Sequence, residues 1–198
     1  MRIPDLRTSF PAAPLSVWAD AAGAKVEELG CGMKGGGAVI PGGFWVRLVW
    51  SKHLARLLGR KLSCLEGLAA LAGCAVAIAR YPGMALLVRE DNQGLVHIYN
   101  KGMSSCPWTW CVAKAIADLG RATGTRIKLE KVTRCTEPGD QAADLLSKGR
   151  VDGARKKVWL EPRPDRLPRA LLSWMENPVV TAGLGFRMAT DLFLGRLQ

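Results

Sequence analysis

Residues 15–20, Leu-Ser-Val-Trp-Ala-Asp, set apolar positions against small or polar ones with a period of two, which predicts a strand ending on Asp20. Ala21-Ala22-Gly23 then turns the chain. Residues 35–40 and 44–50 predict two further strands joined across Pro41-Gly42-Gly43, a hairpin turn whose glycines supply the φ freedom it needs. Three antiparallel strands therefore open the folded part of the chain.

From Ser63 the period changes. Residues 64–78 are rich in Ala and Leu and apolar nearly all round, a helix with Ser63 as cap and Pro82 as stop. Such a helix belongs against a sheet, so Glu66 in its first turn stands out. Residues 84–91 form a continuous apolar run that suits a strand covered on both faces, with Asp91 at its end. A short helix over 92–100 closes at Gly102, and another over 108–119 has Gly120 and Gly124 as stops. Residues 126–133 alternate as an edge strand, and Glu137-Pro138-Gly139 leads into a helix that carries Ala142, Ala143, Asp144, Leu145 and Leu146.

Flanking composition sets the domain limits. Residues 1–14 carry three prolines without periodicity and are expected to be a linker from something longer. The domain is expected over 15–150. Residues 151–198 begin basic and proline-rich, a linker, and continue into a small, partly apolar appendage read as a packing flap or docking segment.

Charge and cysteines narrow the partners. The 28 Lys and Arg against 17 Asp and Glu give a formal charge of +11, which suits a polyanion such as nucleic acid. The six cysteines form no CxxC pair, and His53 and His97 are the only histidines, so a structural zinc cluster is not expected. Cys64 and Cys74 fall within the apolar helix as small hydrophobes, which fits a reducing, intracellular compartment. The best apolar stretch, residues 62–78, is interrupted by Ser63, Glu66 and glycines, and no membrane span or signal peptide is expected.

Acids now stand at the end of the first strand, in the long helix, at the end of the fourth strand and in the last helix. Taken singly, Asp20 or Asp144 reads as a solvated surface residue. Taken together, four converging carboxylates cannot all stay ionised without cations, and hard oxygen donors select Mg²⁺ or Mn²⁺. Glu90 beside Asp91 should point to the other face of its strand in a structural role, and Asp140 should serve the dipole at its helix N-terminus.

These motifs resemble the ribonuclease H-like domains that follow reverse transcriptases in retroelements. Val17-Trp-Ala-Asp20-Ala-Ala is similar to the family's first-strand aspartate segment, and Leu65-Glu66-Gly-Leu-Ala to its helical glutamate. Asp91-Asn92 with Asn100-Lys101-Gly102 resembles a DN...NKG segment, and residues 138–149, from Pro138-Gly139 through Asp144 to Ser147-Lys148-Gly149, a PG...AD.LSKG signature. With Trp174-Met-Glu-Asn177-Pro178 in the tail, the combination is most similar to elements of the DIRS or tyrosine-recombinase type.

The resemblance implies an α/β, ribonuclease H-like fold. Its five-stranded mixed sheet has three antiparallel strands and then two parallel additions, with flanking helices and a small C-terminal extension. It implies that Asp20, Glu66, Asp91 and Asp144 are catalytic acids holding two Mg²⁺ or Mn²⁺ ions. The substrate would be the RNA strand of an RNA/DNA hybrid, contacted by Asn92, Gln93 and Lys101, in a piece of a reverse transcriptase polyprotein. Residues 134–137, Arg-Cys-Thr-Glu, stand where relatives often carry a histidine, and the loop over 25–34 is unusual. A catalytically inactive nucleic-acid-binding copy from a degenerated retroelement is the alternative. A different nuclease or strand-transfer enzyme on the same fold is a third.

Overall fold

A computed structural model describes residues 11, 13–23, 34–58, 61–103, 105–134 and 136–176. Most of the expected linker over 1–14, most of the loop over 25–34, and the tail beyond 176 lie outside the described residues. Five strands form one sheet: β1 (Leu15–Ala21), β2 (Gly35–Ile40), β3 (Phe44–Val49), β4 (Leu86–Glu90) and β5 (Ile127–Lys131). Their spatial order is β3-β2-β1-β4-β5. The first three pair antiparallel, whereas β4 is parallel to β1 and β5 parallel to β4. The chain is therefore α/β with a mixed five-stranded sheet.

Between β3 and β4 lie α1 (Lys52–Leu58) and α2 (Leu62–Arg80). No element is expected at α1 from the apolar periodicity alone. Its signal was nonetheless present: Ser51 Oγ accepts the Leu54 amide as an N-cap, and Leu54, Ala55 and Leu58 bury one face. Ser63 is not the cap of α2, because the helix begins one residue earlier and Ser63 Oγ instead donates to Asn92 Oδ1 at 3.1 Å. Residues 64 to 78 of α2 are buried without a break. By length and hydropathy α2 would pass for a membrane span, but it is the central helix of the core, packed on β1 and β2 and against the helix after β4. Its small residues make that approach possible, since a Cβ at Gly73 would lie 2.8 Å from both Val17 and Ala38.

After β4 come α3 (Gln93–Lys101) and α4 (Pro107–Thr123), and after β5 comes α5 (Pro138–Ser147). Gly102 and Gly124 close α3 and α4 in the left-handed conformation, whereas Gly120 stays inside α4, buried against Thr125 and Ile127. Helices α2, α3 and α4 cover one face of the sheet around the larger apolar cluster. The other face is covered by α5, over a smaller cluster that includes Val39, Trp45, Ala143 and Leu146.

Composition marked the stretch from Gly149 to Pro168 as linker and the residues beyond it as a packing or docking appendage, and the described part of both packs on this body. It adds α6 (Val151–Arg155) and α7 (Arg169–Glu176), and buries Ala154, Leu160, Leu167, Leu171, Trp174 and Met175. Between the two helices the chain runs beside β3, where the amides of Glu161 and Asp165 donate to the carbonyls of Gly43 and Trp45.

Candidate metal centre

Three elements deliver carboxylates to one end of the sheet. Asp20 is the penultimate residue of β1, Asp91 follows β4, and Glu66 sits in the first half of α2. Parallel pairing of β1 with β4 puts the two strand ends side by side. One carboxylate oxygen from each of Asp20, Glu66 and Asp91 lies within 4.8 Å of the others. Asp20 and Glu66 are buried, at 5% and 3% exposure, and Asp91 is partly exposed, so the cluster opens to solvent on the Asp91 side.

Asp144, the fourth expected acid, stands beside this trio and outside it. Its carboxylate accepts from Lys148 Nζ at 2.6 and 2.7 Å and lies 3.4 Å from Arg134 Nη2. Arg134 Nε is 3.5 Å from Asp91 Oδ2, so one guanidinium spans the gap between Asp91 and Asp144. Arg134 belongs to the segment that carries no histidine.

The electrostatics are those of a crowded anionic site. Burial pushes the Glu66 carboxyl up to about 8, helped by the charges of Asp91 and Asp20 and opposed by a hydrogen bond from Asn92 and by Arg134. Burial also raises Asp20. The Ser147 hydroxyl works against that shift, and Asp144 and Asp91 add to it. Glu66 Oε2 is buried with no hydrogen-bond partner, a costly state for a carboxylate oxygen that a bound cation would remove. Three carboxylate oxygens at this spacing could together hold a divalent cation.

Two buried groups gain their roles from partners that only the fold brings near. Ser147 Oγ lies 2.7 Å from Asp20 Oδ2 and 2.8 Å from the Asp144 carbonyl, so its single proton ties β1 to α5. This contact depends on Gly37, which pairs with Asp20 across the sheet and lets α5 approach. A Cβ there would be 2.6 Å from Leu146 Cβ. Glu90 is fully buried on the α2 face of β4, with Leu86 and Val88. Burial first, and then the Glu66 charge, holds Glu90 well above the ordinary carboxylate range. What the sequence did not carry is that this face meets Glu66.

The expected nucleic-acid contacts are dispersed. Asn92 caps α3, accepting from Leu95 N and Ser63 Oγ at 3.1 Å each, while its side chain also hydrogen-bonds Glu66. It is thereby part of the acidic site's wall. Gln93 is exposed and accepts from Lys131 Nζ at 3.2 Å. Lys101 is exposed at the far end of α3, roughly 12 Å along the helix from Gln93. Asp140 is buried in the first turn of α5, where a negative charge suits the helix dipole.

Comparison with protein-family models, with curated proteins and with solved structures finds no match.

Proposed function

We propose that the chain is a metal-dependent nuclease of the ribonuclease H-like kind, hydrolysing the RNA strand of RNA/DNA hybrids within a retroelement reverse transcriptase polyprotein. The observation that carries the reading is the convergence of Asp20, Glu66 and Asp91 within 4.8 Å around a buried, unpartnered Glu66 oxygen. The strand order and the positions of the four acids along the chain support the fold assignment. The charge of +11 supports a polyanionic substrate, and a protein that handles retroelement intermediates works inside the cell.

In this reading Asp20, Glu66 and Asp91 hold Mg²⁺ or Mn²⁺, and Asp144 completes a second position at the rim. A bound ion supplies Lewis acidity at the scissile phosphate and lowers the pKa of water. The chain's own residues set the stage for that chemistry. Ser147 fixes the Asp20 carboxylate from behind, Asn92 fixes Glu66, and Arg134 at the open side offers a guanidinium to a phosphate oxygen.

The test is cleavage of a labelled RNA/DNA hybrid in Mg²⁺. Wild type is expected to cut the RNA strand, with Asp91→Asn slower by more than about a hundredfold, as the loss of several kcal/mol of charge stabilisation requires. Duplex RNA and duplex DNA as competitors separate a hybrid-specific enzyme from another nuclease on this fold. A wild type with no activity on any of the three substrates contradicts the reading. A second reading, an inactive module that binds nucleic acid, is favoured by one observation: Lys148 and Arg134 already neutralise Asp144. Hybrid affinity that falls steeply with salt and is indifferent to Mg²⁺ would select it.

A further inference from the structure

Trp159 is an exposed tryptophan on a basic strap, far from the acidic cluster. Its exposure is 66%, whereas Trp45, Trp50 and Trp174 are buried. The ring is seated and does not dangle. It rests on Gly43, where an added Cβ would lie 2.2 Å from a ring carbon, so the glycine is what lets the ring settle there. The chain beyond Trp159 is tied down by the amides of Glu161 and Asp165 to β3 and its turn, and by Arg80, which grips Asp165 Oδ1 and stacks 4.3 Å over Phe44. The aromatic surface is therefore held in place before any ligand arrives.

Around the ring the strap is strongly basic. From Arg150 to Arg169 inclusive, seven Lys or Arg stand against three Asp or Glu, and Asp165 is engaged by Arg80. Arg155, Lys156, Lys157, Arg163 and Arg166 are all exposed. A fixed aromatic face amid cations matches a base with its phosphates: the ring stacks on any base, and the cations follow the backbone. A duplex keeps its bases stacked on one another and offers no free face. Ile40 pairs with Phe44 at the turn, three residues along β2 from Gly37, the partner of Asp20, so the platform is roughly 10–15 Å along the sheet from the acids.

We propose that Trp159 and the surrounding lysines and arginines form a docking surface for single-stranded nucleic acid, separate from the metal centre. It would hold a strand with unpaired bases that leaves or enters the hybrid.

The experiment is fluorescence anisotropy of a labelled oligo(dT) or oligo(U) of about 15 nucleotides with the full chain in EDTA, so that the acidic cluster contributes no metal-bridged contact. Trp159→Ala is expected to weaken binding on the order of tenfold, and Trp159→Phe to retain most of the affinity. The surface double variant Lys156→Glu/Lys157→Glu should lower both the affinity and the salt slope, by about 0.7 in the slope for each phosphate no longer neutralised. Thermal melting of each variant checks that the fold is kept. Wild-type affinity in both Trp159→Ala and the double variant overturns the proposal. So does duplex DNA bound as tightly as the single strand without dependence on Trp159. Hybrid cleavage in Mg²⁺ is measured separately, so failure here leaves the nuclease reading standing, and the converse also holds.

Discussion

Replacing Gly37 by alanine tests how the sheet and α5 build the site. The new Cβ would fall 2.6 Å from Leu146 Cβ, 2.7 Å from the Ala143 carbonyl oxygen and 2.9 Å from the Ser147 amide nitrogen. Two of those three atoms are backbone, so no rotamer change relieves the clash. Ordinary contact would require α5 to move off the sheet by roughly 1 Å. Overpacking of this kind costs about 1–3 kcal/mol, partly offset by the ~0.5–1 kcal/mol gained on removing glycine from a strand interior. The net is roughly 1–2 kcal/mol, a fall in Tm of about 2–8 °C for a chain of this size. The same displacement lengthens the 2.7 Å Ser147–Asp20 bond beyond hydrogen-bonding range, so Mn²⁺ affinity should drop about tenfold or more. Gly153→Ala is the control. Its Cβ would meet only side-chain carbons at 3.5–3.8 Å, and the change should be neutral or stabilising by up to about 1 kcal/mol. Scanning calorimetry and Mn²⁺ titration read both variants. If Gly37→Ala melts and binds Mn²⁺ like wild type, the close approach of α5 is not what positions Asp20.

Ser147→Ala removes the donor behind Asp20 without adding bulk, and should weaken Mn²⁺ binding by about tenfold or more, measured calorimetrically, with a Tm loss of only a few degrees. Unchanged affinity would reduce Ser147 to a helix-packing residue. In chelator the stability should depend on pH through Glu66. Its folded value of about 8 lies above the ordinary 4.5, so between those values the folded chain holds a proton that the unfolded chain has released. Stability to urea should therefore fall from pH 5 to pH 8 by up to a few kcal/mol, and Glu66→Gln should reduce that slope, leaving the part that the raised Asp20 and Glu90 supply. A flat wild-type profile would contradict the burial of Glu66 beside two carboxylates. Glu90 is fully buried and its carboxyl is held well above the ordinary range, so Glu90→Gln should keep near-wild-type stability at pH 7, whereas Glu90→Lys should prevent folding. Strong destabilisation by glutamine would mean that Glu90 is ionised in the folded protein.

Much of this arrangement could be read from the chain because local pattern and tertiary role agree. The alternation of residues 15–20, the apolar run of β4 and the all-round apolar α2 each state their own burial, and burial then makes Glu66 conspicuous. The ends were less legible. At the N-terminus of α2, Ser63 turns its hydroxyl to Asn92 instead of capping the helix, a partner that no capping pattern announces. Composition hid the segment around Trp159, since its prolines and cations look like solvent-borne linker while Leu160 and Leu167 are buried. Spacing placed the four acids near one end of the sheet, but it could not give the partition between a close trio and Asp144. That depends on where Lys148 and Arg134 put their charges. Ser147 likewise gains its role from a partner 127 residues away.

The most direct test of the acidic cluster is Mn²⁺ binding at pH 8, followed by electron paramagnetic resonance of the free ion and by calorimetry. Wild type should bind at least one Mn²⁺, with Mg²⁺ competing. Glu66→Gln and Asp91→Asn should each lose more than tenfold in affinity while remaining folded. A folded wild type that binds no Mn²⁺, or variants that bind it as well as wild type does, would contradict the assignment of Asp20, Glu66 and Asp91 as a metal centre.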